Sequence, residues 1–118
     1  MKLGTDIVQI ERIKKAIEKQ GQRFKERYLS QSEIEMAKKI DSLAGLWAAK
    51  EAVAKALGCG IGKELSFHDI IISKNQKGSP YFTLSKKAQS IHKVKESSLS
   101  ISHDGGFAIA IVAIEFIN

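Results

Sequence analysis

Trp47, Glu51 and Lys55 recur at i, i+4 and i+8, so a helix through them would carry all three on one stripe, with Leu43 one step earlier and Lys50 flanking Glu51. A carboxylate on a rigid helix beside two lysines suits phosphate chemistry. The carboxylate can bind Mg2+, which takes one or two carboxylates and completes its shell with phosphate and water. The lysines can balance phosphate charge. Spacing alone describes a surface ion pair worth about 0.3–0.5 kcal/mol just as well, and that is the commoner case. Asp6 lies between Thr5 and Ile7, among apolar residues where a charge is unexpected. In a strand it would share a face with Gly4 and Val8. A half-buried carboxylate there needs a partner, either a metal or a helix N-terminus. His103 ends an alternating run just before Asp104-Gly105-Gly106, on a face with Leu99 and Ile101. It could hydrogen-bond a phosphate or a ligand hydroxyl, or simply stand in solvent. His68, His92 and Cys59 have no partners at metal-ligand spacing, so no zinc pattern is present. The stretch 58–62 lacks the Gly-Lys-Ser/Thr ending of a phosphate loop, and no Gly-x-Ser-x-Gly elbow occurs.

These side chains need elements to position them. Residues 2–8 read as a short strand running into a helix with Ile10, Ile13 and Ile17 on its apolar face and Gly21 as its stop. Phe24 and Tyr28 suggest one more short helix. Ser30 with Glu33 is the capping-box pattern for a helix through about Ile40. Leu43, Leu46, Trp47, Ala54 and Leu57 outline the core face of a longer, alanine-rich helix that Gly58 would end. Beyond a glycine-rich turn at 59–62, residues 69–73 read as a strand, 75–80 as a turn and 81–84 as the antiparallel return. Residues 85 to about 92 suit a short helix. Residues 99–103 alternate, Asp104-Gly105-Gly106 is a hairpin turn, and 107–116 is a long apolar strand expected to be covered on both faces. Helices first and strands later predict an α+β fold. Its N-terminal helices and long central helix would pack on a small, mostly antiparallel sheet, in one domain over 1–118, with no repeat or linker.

At 118 residues and 43% hydrophobic, the chain can bury a core without disulfides or metal staples. Cys59 is alone, which suits a reducing compartment. No apolar run reaches about 18 residues, and Asp6, Glu11 and Arg12 interrupt any signal-peptide core, so the cytoplasm is the expected location and no membrane partner is expected. The net charge is +6 and it is clustered. Seven basic residues stand against three acidic between Glu11 and Tyr28, and Lys86, Lys87, Lys93 and Lys95 form a second group. Such charge suits a polyanionic partner. A nucleic-acid module is one reading, but aromatics are only 7%, they follow apolar periodicities, and no recognised motif is present, so no nucleic-acid partner is expected.

Taken in order, GTDI (Gly4–Ile7), WAAKEAVAK (Trp47–Lys55) and SISHDGG (Ser100–Gly106) resemble the holo-acyl-carrier-protein synthases, the small bacterial 4′-phosphopantetheinyl transferases. Their signatures are a Gly-x-Asp-aliphatic start and an aromatic-x-x-Lys-Glu-small-x-x-Lys helix. The match extends through FKERYLSQSE, GCGIG, LSFHDI and GSPY over nearly the whole chain. The resemblance implies a 4′-phosphopantetheinyl transferase-like fold. It implies transfer of the phosphopantetheine arm of coenzyme A to a serine of an apo acyl carrier protein, with release of adenosine 3′,5′-bisphosphate, in support of fatty acid biosynthesis.

It further implies that Asp6 and Glu51 hold Mg2+ against the coenzyme A pyrophosphate and that Glu51 and Lys55 carry the chemistry. Lys50, Lys55, His103, Gly62 and Pro80 would bind coenzyme A. Arg12 matches a carrier-docking arginine, with Arg23 and Arg27 as helpers, and docking of an acidic carrier protein would be fast and salt-sensitive. The resemblance implies a homotrimer with coenzyme A at subunit interfaces. The carrier serine is the nucleophile; its base is open between Glu51 acting through a water and a hydroxide on the metal. One departure stands out. Leu46 occupies a position where some relatives carry an arginine that can reach the nucleotide, so nucleotide contacts must come from elsewhere, with Lys63, Lys86 and His103 as candidates.

Overall fold

In the computed structural model, which describes residues 1–118, strand β1 (Lys2–Gln9) passes directly into helix α1 (Ile10–Gln20). Two short helices follow, α2 (Gln22–Tyr28) and α3 (Gln31–Met36), and then the long helix α4 (Ile40–Ala56). The second half runs β2 (Ile70–Lys74), β3 (Pro80–Leu84), α5 (Lys86–His92), β4 (Val94–Asp104) and β5 (Phe107–Phe116). This is the expected α+β layout, but the strands form two antiparallel sheets: a three-stranded sheet in the order β1-β5-β4, and the separate pair β2-β3. No helix is long and apolar enough to cross a membrane.

Helix α3 stops at Met36 instead of running to Ile40, because Ala37 leaves helical geometry and α4 then starts afresh. Asp69 is not part of the strand it was expected to open. Its carboxylate accepts from the Ser66 amide at 2.9 Å and from Ser85 Oγ at 2.7 Å, capping the turn Phe67–Asp69 ahead of β2. The Ser66 amide first, and then the Ser85 hydroxyl, hold the Asp69 carboxyl below its ordinary 3.8. A carboxylate depressed in the folded state adds stability above its unfolded pKa and loses it as pH falls through the folded value. Asp69→Asn is therefore expected to cost about 1 kcal/mol at neutral pH, because charge-assisted hydrogen bonds from Ser66 and Ser85 give way to weaker neutral ones. The gap to wild type should close as pH drops below 3.8, which thermal melts across that range will read.

Burial in β5 alternates. Ala108, Ala110, Val112 and Ile114 face inward and are buried, whereas Phe107, Ile109 and Ile111 are 42–46% exposed. The expectation that β5 is covered on both faces is thus corrected within one chain: only the face under α4 is covered. Register sets Ile7 of β1 opposite Ile109, and Leu3 joins the same uncovered face.

Small residues let α4 lie close on the inner face. A Cβ on Gly4 would stand 2.0 Å from the Ala52 carbonyl oxygen and 2.8 Å from the Ala56 nitrogen. One on Gly45 would stand 2.9 Å from Ile101 Cγ2. Helix α4 therefore crosses the sheet obliquely, with its N-terminal half over β4 and its C-terminal half over β1. It is buried on almost every side. Of its 17 residues only Ile40, Asp41, Ser42, Trp47, Glu51 and Lys55 are not buried. Past the first turn, the sole free surface of α4 is the 47–51–55 stripe.

Candidate active site

The stripe on α4 meets Asp6 of β1. Lys55 Nζ donates to Asp6 Oδ1 at 2.9 Å, across 49 residues of sequence. Lys55 pairs with this carboxylate and not with Glu51, so the ordinary i, i+4 surface pair is not what forms. Asp6 shares the inner face with Gly4 and Val8, and its side chain is only 12% exposed. Its second oxygen, Oδ2, is buried without a hydrogen-bond partner. An orphaned carboxylate oxygen of this kind is costly unless something not belonging to the chain satisfies it. Glu51 is the third member. Burial pushes its carboxyl above the ordinary 4.5, and the negative charge of Asp6 pushes it the same way; Lys55 and Arg12 oppose them. Two carboxylates that repel each other, one with a free buried oxygen, make a place for a cation.

Arg12 of α1 lies against the same group. Its guanidinium sits 5.6 Å from the centre of the Trp47 ring. The other face of Trp47 is in the core, near Phe24, Tyr28 and Phe67 at centroid distances of 5.8, 5.1 and 5.0 Å. Trp47 is therefore a core residue that also shelves Arg12 beside Glu51. Arg23 and Arg27 are exposed on α2, one turn apart. Gly62 follows α4 in an exposed loop.

Lys50 corrects an expectation. It reaches neither Asp6 nor any exposed surface, because its side chain is fully buried on another flank of α4. Its ammonium donates to Glu33 Oε1 at 2.8 Å and to the carbonyls of Tyr28 and Phe67 at 2.6 and 3.1 Å. Burial lowers its affinity for the proton, and the bond to Glu33 counters that. Spacing could not reveal this, since Lys50 and Glu51 are neighbours in sequence yet point about 100° apart on a helix.

His103 lies elsewhere again. The turn beyond it uses Gly105 and Gly106 at φ 57° and 86°, the two positive angles that a tight hairpin of this hand requires. That turn sets His103 at the open end of β4, with Nδ1 3.5 Å from Asp41 Oδ2 at the start of α4. Together they border a groove of about 210 Å³ lined also by Ser42, Leu46, Lys74, Gly78 and Pro80. Leu46 is thus a wall of this groove, and neither Lys63 nor Lys86 reaches it. Lys74, opposite Pro80 in the β2-β3 register, is the cation that sequence reasoning missed; the turn signal at 75–80 pointed to the hairpin that brings it there. Ten residues of α4, about 15 Å, separate Asp41 from Glu51. One chain therefore joins Asp6, Glu51, Lys55 and Arg12 at the β1 edge. It leaves His103, Pro80 and Lys74 at the β4 edge.

The sequence profile of the 4′-phosphopantetheinyl transferase superfamily matches residues 2–112. A holo-acyl-carrier-protein synthase of Sulfurovum sp. is 61% identical over 116 residues, covering 98% of this chain and 98% of its own. The chain belongs to this family. Among solved structures, the Helicobacter pylori holo-acyl-carrier-protein synthase in complex with coenzyme A is 51% identical. It superposes with a TM-score of 0.93 over 96% of this chain and 99% of its own. The Bacillus anthracis synthase in complex with CoA (3′,5′-ADP) is 37% identical, with a TM-score of 0.82 over 98% of this chain and 96% of its own. The family fold is thus the two-sheet α+β arrangement described above, and the chain is a 4′-phosphopantetheinyl transferase by family.

Proposed function

We propose that the chain moves the 4′-phosphopantetheine arm of coenzyme A to a serine of an apo acyl carrier protein in the cytoplasm, with Mg2+, releasing adenosine 3′,5′-bisphosphate and supplying holo carrier protein for fatty acid biosynthesis. The observation that carries this is the convergence of Asp6, Glu51 and Lys55, with Asp6 Oδ2 left unsatisfied. These residues fit Mg2+. No group of three ligating side chains occurs anywhere in the chain, so Asp6 and Glu51 would be the protein's whole contribution, with phosphate and water completing the shell. When bound, Mg2+ would neutralise charge on the pyrophosphate and on the departing phosphate.

The chain's own residues have distinct tasks. Lys55 is half exposed, so its ammonium can turn from Asp6 to a phosphate oxygen and balance charge as the bond breaks. Glu51, the second carboxylate of the pair, would also draw the serine proton through a water. Arg12, beside that carboxylate, would steer the acidic carrier so that its serine arrives at the pyrophosphate, helped by Arg23 and Arg27. In the groove, Pro80 and His103 would hold the nucleotide, with Lys74 supplying the cation that Leu46 does not. Gly62, in the loop beyond Lys55, would let the pantetheine end pass close to backbone. Intact-mass spectrometry of apo carrier protein after incubation with the chain, coenzyme A and Mg2+ tests the reading; an unchanged carrier mass sinks it.

Asp41, beside His103, lies about 15 Å along α4 from Glu51, and the outer face of the three-stranded sheet carries five exposed apolar side chains: Leu3, Ile7, Phe107, Ile109 and Ile111. Both features support the homotrimer, with the β1 edge of one copy meeting the β4 edge of the next. Light scattering should then report three chains of 13.0 kDa each. Glu51→Gln and His103→Ala are each expected to be impaired alone, the second by about 10–100-fold in KM for coenzyme A from the lost charged hydrogen bond. Dissociating and remixing the two should restore part of the activity, because some interfaces then combine an intact Glu51 with an intact His103. No gain on mixing would place the whole site in one chain.

A further inference from the structure

The buried pair Lys50–Glu33 has no part in the chemistry above, yet it is the most completely satisfied polar group in the molecule. Its three ammonium protons meet three acceptors: Glu33 Oε1 and the carbonyls of Tyr28 and Phe67. Glu33 is equally occupied. Its Oε1 also accepts from the Ser30 amide and its Oε2 from the Ile72 amide, each at 2.7 Å. Both side chains are 0% exposed. Five segments therefore meet at one ion pair: the end of α2, the cap of α3, the middle of α4, the turn at Phe67 and strand β2.

Stability alone does not account for it. Taking two charges out of water is expensive, and apolar residues of similar volume are often as stabilising or more so. What apolar residues cannot supply is direction. An ammonium gripped by three fixed acceptors sets both the rotation and the axial position of the helix that carries it. Glu51 is the next residue of that helix, about 100° further round. Gly4 fixes how closely α4 lies on β1, and Lys50 fixes which way α4 is turned there.

We propose that the Lys50–Glu33 pair is a positioning device that sets the rotation of α4, so that Glu51 faces Asp6 across the cation site. This rests on the reading of Asp6 and Glu51 as the metal carboxylates. Lys50 itself touches neither substrate nor metal; it acts through its neighbour.

Two variants test the idea. Lys50→Met with Glu33→Gln removes both charges together, so neither is left buried alone. Glu33→Asp keeps both charges and shortens one arm by a methylene. Mn2+ serves as the probe, with its binding followed by electron paramagnetic resonance in the presence of coenzyme A and the absence of carrier protein. The double variant is expected to bind Mn2+ about 10–100-fold more weakly, as loss of a supporting contact behind a ligand does, and Glu33→Asp several-fold more weakly. In transfer assays kcat should fall while KM for coenzyme A at saturating metal stays near wild type. A lowered melting temperature with wild-type Mn2+ affinity, in either variant, overturns the proposal and leaves the pair a structural tie. If the double variant does not fold, Glu33→Asp decides. Wild-type protein that binds no Mn2+ removes the metal reading and this inference with it. Wild-type protein that binds Mn2+ in the expected pattern but transfers nothing removes only the transferase reading.

Discussion

Glu51→Gln should lower phosphopantetheine transfer by about 10³-fold or more, equivalent to at least about 4 kcal/mol of transition-state stabilisation, without unfolding the protein. The first half follows from role. A neutral amide is a poor ligand for a hard dication and cannot take the serine proton, so two tasks are lost with one atom. The second half follows from the electrostatics of the apo site. The Glu51 carboxyl is raised by burial and by Asp6, so its ionised form is disfavoured in the folded chain relative to the unfolded one. The sign is then clear: above its folded pKa an ionised Glu51 subtracts from stability, and the loss disappears only as pH falls to the unfolded pKa. An uncharged residue at 51 relieves that repulsion. The variant should therefore melt at or above the wild-type temperature without Mg2+, while losing activity. This combination marks a group kept for function at a cost to stability. Single-turnover transfer and thermal melts in chelator are the measurements. Retained transfer would remove Glu51 from the site, and a large drop in melting temperature would make it a structural residue.

Gly4→Ala is the second large effect, and it acts through the backbone. The added methyl would lie 2.0 Å from the Ala52 carbonyl oxygen and 2.8 Å from the Ala56 nitrogen, and neither is the end of a flexible side chain. Something must move, and what can move is α4 as a body. Overpacking of this kind costs about 1–3 kcal/mol and sometimes more, and the rigidity of both elements puts this case at the upper end. For a chain of this size that corresponds to a fall of about 10 °C in melting temperature. Activity should suffer beyond the stability loss. Asp6 is two residues along the same face of β1, and Glu51 and Lys55 flank Ala52 on α4. Lifting the helix by about 1 Å opens the Asp6–Lys55 contact and separates the carboxylates, for which a loss of about 10²-fold in kcat is expected even at temperatures where the variant is folded. Full activity in a folded Gly4→Ala protein would show that the spacing of β1 and α4 does not govern the site.

Much of the arrangement was legible because it is local. The helix starts and stops at Gly21, Ser30 and Gly58 are near-neighbour effects of caps and glycine geometry. The hairpin at Asp104-Gly105-Gly106 follows from the two positive φ angles its turn demands. The capping box of α3 was readable from Ser30 and Glu33, yet what else Glu33 does was not. Its partners are 17 and 39 residues away, at Lys50 and Ile72. The same limit explains the error at Lys50. Its place beside Glu51 predicts a ligand contact, whereas the helix turns it about 100° away, into the core.

The sequence by itself settled the order of Asp6, Glu51 and Lys55 along the chain, the family and the α+β class. Each of these depends on residue identity and short-range spacing. Only the tertiary structure decided who meets whom. Lys55 meets Asp6 and not Glu51 because two glycines let α4 lie obliquely on the sheet. Asp41 meets His103 because the same oblique crossing carries the start of α4 over β4. The outer face of β5 is left bare because no element of this chain packs on it. These are packing outcomes, fixed by contacts between residues far apart in sequence, and no periodicity along the chain encodes them.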